Sequence, residues 1–207
     1  MKMLSLMLGE LGTNTYILDL GNQEAVVIDI GNGAEKVLQV LEMYQLNLKA
    51  ILLTHGHYDH VAGVEEVRQA TGAEVYIHEK DAPMLENGQA NLAWQITEED
   101  YLPVKEYHTL KDGDILEFSG HQIEVMHTPG HTAGGVCYLI EDKMFSGDTL
   151  FKGSVGRIDL GGNQTEMMQS LKKIASLEKD YQVYPGHFQF SSLAKEKISN
   201  PYLRNFL

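Results

Sequence analysis

A chain of 207 residues, 43% of them hydrophobic, can bury one large core and suits a single domain over 1–207 better than two. Its 16 Lys and Arg against 29 Asp and Glu leave a formal charge of -13, which favours solubility, repels polyanions and makes nucleic acid a poor partner. Cys137 is the only cysteine, so an intramolecular disulfide is excluded. The N-terminal MKMLSLMLGELGTNTYILDLG breaks at Gly9 and Gly12 and lacks the continuous apolar stretch of a signal peptide. No run reaches the ~18 apolar residues of a membrane span, so a cytoplasmic protein without a membrane partner is expected.

Short β-rich runs open the chain, Met3 to Leu8, Thr15 to Leu20 and Ala25 to Ile30, with glycine-containing turns between them. A helix is predicted over Gly33 to Tyr44, where Val37, Leu38, Val40 and Leu41 make an apolar face at three- and four-residue spacing. Lys49 to Thr54 (KAILLT) is a fully apolar strand that empties directly into HGHYDH, and strand C-terminal ends are where α/β architectures place sites. A helix over Val61 to Thr71, a strand over Glu74 to His78 and a helical turn over Glu79 to Glu86 follow. Asn87 to Leu110 reads as a long polar loop carrying Trp94, Tyr101 and Tyr107, expected to cover a cleft and supply an aromatic wall. Strands resume at Asp114 to Phe118, His121 to His127, Gly135 to Ile140 and Lys143 to Ser146. A helix near Gln164 to Leu177, a strand over Gln182 to Tyr184 and helical material from Ser192 complete the chain. Strands in both halves with helices between them predict an α/β sandwich, two sheets face to face with helices outside.

The chemistry is concentrated in His55-Gly56-His57-Tyr58-Asp59-His60. Imidazole nitrogens and carboxylates are the ligands that zinc accepts, and residues spaced by two in an extended turn project the same way. His55 and His57 can share one ion while Asp59 and His60, displaced around the turn, face a second position. Three further strand-end turns each carry one such residue beside glycine: HTPGHT with His131, SGDT with Asp148, and YPGH with His187. A single His after Pro-Gly is more often an ordinary loop residue. Four such turns in one chain are not independent accidents.

THGHYDH, HTPGHT, SGDTLF and YPGH, in that order over nearly the whole chain, resemble the metallo-β-lactamase superfamily. LGTNTYIL, LFKGSVGRIDLGG and NPYL are similar to its small hydroxyacylglutathione hydrolase branch, the glyoxalase II-like proteins. The resemblance implies a four-layer αβ/βα sandwich of two mixed β-sheets. It implies two divalent metal ions, zinc first and iron or manganese as alternatives: His55, His57 and His131 at one, Asp59, His60 and His187 at the other, with Asp148 bridging them. Antibiotic-hydrolysing members resembling this fold are secreted and generally lack a bridging carboxylate, which argues against a β-lactamase. Flavo-diiron members carry Glu at the His57 position and append a flavodoxin domain. Nuclease members insert a large domain before the last ligand, for which the interval from Asp148 to His187 leaves no room.

The expected substrate is a small-molecule thioester such as an S-acylglutathione. Water bridging two divalent ions ~3.5–4 Å apart ionises near neutral pH, with Asp59 as the catalytic residue that orients it. A thiol of pKa ~8.5 leaves without a general acid. Tyr58 is read as a wall of the substrate cleft or as plain packing, and Arg157 as a clamp on a substrate carboxylate or as half of a pair with Asp159. The rival reading is a persulfide dioxygenase with one iron on His55, His131 and Asp148, a subset of the same ligands. A third, a metal-stabilised scaffold, fits poorly with a complete second site. His78, His108, His121 and His127 are expected to be structural or solvated, His127 lying close enough to support a ligand. Cys137 is expected to be a small buried hydrophobe.

Overall fold

The structure, a computed structural model, describes residues 1–206; Leu207, where the expected domain ends, lies outside them. Strands β1 (Lys2–Leu8), β2 (Thr13–Gly21) and β3 (Glu24–Ile28) form an antiparallel meander. Helix α1 (Ala34–Met43) then crosses over to β4 (Asn47–Leu52), which lies parallel to β3 with Val26, Val27 and Ile28 opposite Ala50, Ile51 and Leu52. Helices α2 (Tyr58–Val61) and α3 (Val64–Thr71) lead to the parallel strand β5 (Glu74–His78). A 3-10 turn (Ala82–Glu86) and α4 (Ala93–Ile96) precede β6 (His108–Leu110), which completes a six-stranded sheet in sequence order.

The second sheet begins with the antiparallel strands β7 (Ile115–Phe118), β8 (His121–His127), β9 (Val136–Ile140) and β10 (Lys143–Gly147). A small ribbon of β11 (Leu150–Phe151) and β12 (Ser154–Val155), then α5 (Gln164–Ala175), lead to β13 (Gln182–Pro185), parallel to β10. Strand β14 (Ser191–Ser192) and α6 (Leu193–Ser199) follow, and the sheet order is β14-β13-β10-β9-β8-β7.

Strand alternation explains the layers. Along β3, Val26 and Ile28 pack between the sheets whereas Val27 packs under α1 and α3; along β9, Val136, Tyr138 and Ile140 face the first sheet while Cys137 and Leu139 face α5. Both faces of each sheet are thus covered, which is why β4 reads as a continuous apolar run rather than an alternating one. Each fully buried Val, Leu or Ile contributes about 1.5–3 kcal/mol. The four-layer αβ/βα sandwich of two mixed sheets is the expected fold, and Cys137 is buried between the second sheet and α5, its thiol pushed up to about 11 by desolvation.

Several element boundaries differ from the sequence-based expectation. The single helix over Val61 to Thr71 is two helices, because the Gly63 amide donates to the Ile30 carbonyl at 3.1 Å rather than within the helix; the approach is so close that a Cβ on Gly63 would lie 2.7 Å from the Gly31 carbonyl oxygen and the Ile30 side chain. The strand expected to reach Ile30 stops at Ile28, since Asp29 adopts φ 53 and turns away. The long loop contains α4 and ends in β6, and the β11–β12 ribbon was not expected. Helix α5 is capped by Asn163, whose side chain accepts from the Thr165 and Glu166 amides at 2.9 and 3.2 Å. Among the described residues, no helix is long and apolar enough to cross a membrane.

Candidate metal centre

The site lies at the C-terminal ends of β4, β8, β10 and β13, where four turns converge. Just past β4, Thr54 donates from its amide to Asp29 Oδ1 (2.8 Å) and from its hydroxyl to Asp29 Oδ2 (2.7 Å). With its proton committed, Thr54 Oγ1 can only accept, so His55 donates Nδ1–H to it at 3.1 Å and turns Nε2 inward. His60, on α2, donates Nδ1–H to Asp29 Oδ2 at 2.8 Å, and His131 donates Nδ1–H to the Arg157 carbonyl at 2.6 Å. In all three rings the outer nitrogen is held by a protein acceptor, which turns Nε2 inward, where it is a lone-pair donor whenever a metal ion takes the place of its proton. His57 is oriented the other way, its Nδ1 lying 2.9 Å from His131 Nε2.

The side chains predicted from the four turns come together as two groups. The inner nitrogens of His55, His57 and His131 lie within 4.8 Å of one another, as do the ligand atoms of Asp59, His60 and His187; His55, His60 and Asp148 form an overlapping third set. Asp59 Oδ2 is 3.1 Å from His187 Nε2 and accepts from the Thr13 hydroxyl at 3.0 Å. Asp148 stands between the groups: Oδ2 is 3.5 Å from both His131 Nε2 and His187 Nε2, and Oδ1 is 3.5 Å from His60 Nε2. His55 Nε2 and Asp148 Oδ1 are buried without a hydrogen-bond partner. Orphaned buried donors of this kind are costly unless something binds them, and their softness and geometry suit a pair of divalent cations. Approach this close requires glycine at 186, where a Cβ would sit 2.4 Å from Asp148 Oδ1 and 2.5 Å from His60 Cε1.

The electrostatics agree with a ligand cluster. Desolvation, then the neighbouring imidazoles, pushes His55 well below its ordinary value and His57 down to about 3, so both rings are neutral and free to donate. Burial alone would lower His60, but Asp59, Asp29 and Asp148 together outweigh it and hold the ring up to about 10. Burial likewise opposes ionisation of Asp59, yet His60 and His187 keep its carboxyl far below the usual range. The second group is a carboxylate-rich nest that attracts positive charge.

The two groups form the floor of a cleft of about 470 Å³. Its walls differ from the expected ones. The long loop contributes Asn91, Leu92, Gln95 and Ile96, whereas its aromatics turn elsewhere: Trp94 is 60% exposed outside the cleft, Tyr101 donates to the Leu85 carbonyl, and Tyr107 donates to Glu86. Tyr58 is 7% exposed, packs edge-on against Tyr101 and does not line the cleft. Arg157 does line it, but its guanidinium is held by Asp159 through two hydrogen bonds of 2.7 and 2.6 Å. His127 stacks on His78 rather than supporting a ligand.

Sequence reasoning passed over three supporting residues. Asp29 carries a legible signal, a carboxylate directly after the apolar run AVVI, and Thr13 lies inside LGTNTYIL. Asp81 has none. Its buried carboxylate accepts from the amides of Gly56 (3.1 Å) and Gly134 (2.6 Å), tying the His55/His57 turn to the segment after His131.

Comparison with known proteins agrees with this geometry. The profile of the Metallo-beta-lactamase superfamily matches residues 8–187. The hydroxyacylglutathione hydrolase GloC of Haemophilus influenzae is 35% identical over 190 residues, 88% of this chain and 89% of GloC. Among solved structures, the BLEG-1 B3 metallo-beta-lactamase superposes with a TM-score of 0.92 at 36% identity, covering 98% of this chain and 99% of its own. TTHA1623 in a di-iron-bound form gives 0.85 at 37% identity (97% and 100%), and ETHE1 from Myxococcus xanthus 0.77 at 29% (97% and 84%). With the fold, the four converging turns and these likenesses in agreement, the chain belongs to the metallo-β-lactamase superfamily, in the branch of hydroxyacylglutathione hydrolase-like proteins.

Proposed function

We propose that the protein is a binuclear metal-dependent thioesterase that cleaves an S-acylated small thiol, of which an S-acylglutathione is the first candidate. The observation that carries this reading is the pair of His/Asp groups spanned by Asp148, with two orphaned buried donor atoms at the floor of an open cleft. His55, His57 and His131 would hold one ion and Asp59, His60 and His187 the other, Asp148 serving both; zinc is the first expectation, and iron or manganese suits the same donors. Bound there, such a pair supplies a water ionised near neutral pH and a Lewis acid for the carbonyl oxygen.

The chain's own residues do the rest. The Thr13 hydroxyl fixes Asp59, whose carboxylate faces the cleft and orients the attacking water. Asp29 and the Arg157 carbonyl hold His60 and His131 in the ligand tautomer. A thiolate leaves readily, with a conjugate-acid pKa of ~8.5, so the site needs no dedicated proton donor. The substrate is then a small molecule, without a nucleic-acid or membrane partner, and a cytoplasmic location goes with this reading.

One assay panel tests it. The metal-loaded protein should hydrolyse S-lactoylglutathione or an S-acyl-N-acetylcysteamine with the loss of thioester absorbance, and chelation should abolish turnover. The likeness to ETHE1 supports a mononuclear iron reading on His55, His131 and Asp148, so oxygen uptake on glutathione persulfide belongs in the panel. The likeness to BLEG-1 puts a chromogenic β-lactam there too, against the expectation drawn from the bridging carboxylate. Oxygen uptake or lactam cleavage without thioester turnover would overturn the proposal.

A further inference from the structure

The cleft has an asymmetry that the metal chemistry does not use. Its floor is polar, but much of its rim is apolar: Leu11, Leu92, Ile96, Phe151 and Phe188 stand around the metal-ligand groups, with polar side chains such as Gln95 between them. Leu11 and Phe188 are 54% and 75% exposed, although a solvent-facing Leu and Phe at a cleft mouth gain nothing for folding. Phe188 is also held there against its own backbone preference. It adopts φ 67, a region that a bulky aromatic residue avoids, with the Asn14 side-chain Nδ2 donating to its carbonyl at 3.0 Å. Phe151 packs edge-on against its ring at 5.5 Å. The residue immediately before it is His187, so the strained turn sets an aromatic face directly beside the second ligand group.

Charge points the same way. Arg157 is the only Lys or Arg among the described residues that line the cleft, and its fork is already filled by Asp159. The chain as a whole carries -13. Above the metal-ligand floor, a carboxylate on the group that enters this rim would meet no free Lys or Arg, whereas an alkyl chain would meet an exposed hydrocarbon wall.

We propose that the rim formed by Leu11, Leu92, Ile96 and Phe188 is an acyl-chain subsite, making the substrates thioesters of uncharged, apolar acyl groups. This rests on the thioesterase reading and narrows its substrate class. An acyl chain lying over Phe188 leaves its carbonyl carbon above the gap that Asp148 spans, with the thiol portion directed out of the cleft.

Binding of non-hydrolysable thioethers tests this independently of turnover. S-methyl, S-butyl and S-octyl derivatives of N-acetylcysteamine are titrated calorimetrically into the metal-loaded protein, alongside an S-carboxypropyl derivative. Affinity should rise about two- to fourfold per methylene while the chain runs along the rim, and the carboxypropyl compound should bind more weakly than the butyl. In Phe188→Ser the increment per methylene should fall by half or more. Phe188→Gly, which relieves the positive φ, controls for folding and should show the same loss. Affinity independent of chain length, or increments unchanged in both variants, would overturn the subsite. Thioester hydrolysis with a flat binding series would overturn this inference alone, whereas a graded series without any thioester hydrolysis would uphold the subsite and overturn the thioesterase reading.

Discussion

Asp29 Oδ2 accepts the Nδ1–H of His60 at 2.8 Å while also accepting the Thr54 hydroxyl that orients His55. One buried carboxylate therefore sets the tautomer of a histidine in each of the two ligand groups. Removing an outer partner of a metal-binding histidine typically costs 10–100-fold in metal affinity, and stranding a buried charged partner costs about 3–5 kcal/mol. Asp29→Ala should accordingly lose that much metal affinity while keeping the ligands themselves. Asp148→Ala should deplete both ions, and His187→Ala chiefly the second. Elemental analysis after limited chelation checks the series; two full equivalents in Asp148→Ala would break the assignment of that residue.

Asp81 acts on backbone rather than on rings. It joins the Gly56 and Gly134 amides across the sandwich, and burial raises its carboxyl against the help of Thr132 and these amides. In Asp81→Ala two buried N–H groups lose their acceptor, at about 1–3 kcal/mol each. The expected result is a clear drop in urea midpoint together with reduced metal at the His55/His57/His131 group. Asp81→Asn keeps one acceptor and should recover part of both losses. A variant that unfolds normally yet binds metal fully would show Asp81 to be dispensable.

His78 should add its own share to the acid response that the buried neutral His55 and His57 also give. Its ring stacks on His127, centroids 4.0 Å apart, and its Nδ1 accepts the Lys80 amide at 3.3 Å, which requires the neutral form. Burial first, then His127, pushes it down from 6.5 to about 4. The unfolded chain therefore binds this proton more readily than the folded one, and stability falls as pH drops from 6.5 through 4. After allowance for solvent screening the loss is roughly 1–2 kcal/mol. Urea unfolding of the chelated protein at pH 7 and 4.5 measures it, and His78→Gln should shrink the difference by that amount while leaving the part that His55 and His57 carry. An equal loss in that variant would place the acid sensitivity in other groups.

How much of this was legible depends on whether a residue's neighbours in sequence are its neighbours in space. The sheets were readable because strands such as β9 are continuous apolar runs, and the ligand turns because each His or Asp sits beside glycine directly after β4, β8, β10 or β13. Gly63 looked like an ordinary helix residue because its constraint is the Gly31 carbonyl, far away in the chain. The aromatics of the long loop drew attention by size, yet Tyr101 is spent on the core around Tyr58, and the cleft is lined instead by Leu92, Gln95 and Ile96. Asp81 is invisible for the same reason as Gly63: both of its partners are backbone amides supplied by other segments.

The last prediction concerns the cleft mouth, where Arg157 and Asp159 form a two-bond pair with both side chains more than half exposed. Two effects of Arg157 are separable. Its carbonyl holds His131 at 2.6 Å, a contact any residue at this position can make, whereas its guanidinium could grip a substrate carboxylate only by leaving Asp159. Exposed pairs of this kind contribute little to stability, so Arg157→Ala should leave the unfolding midpoint and metal content unchanged. Its kcat/KM should stay within about twofold on neutral and carboxylate-bearing thioesters alike. Asp159→Ala is the informative variant, because it frees the planar fork for a two-bond grip on a new carboxylate. It should raise kcat/KM on S-lactoylglutathione by about threefold to tenfold and leave an uncharged acyl-N-acetylcysteamine unaffected. A large loss on the glutathione thioester in Arg157→Ala would show instead that the fork opens to the substrate in the native enzyme.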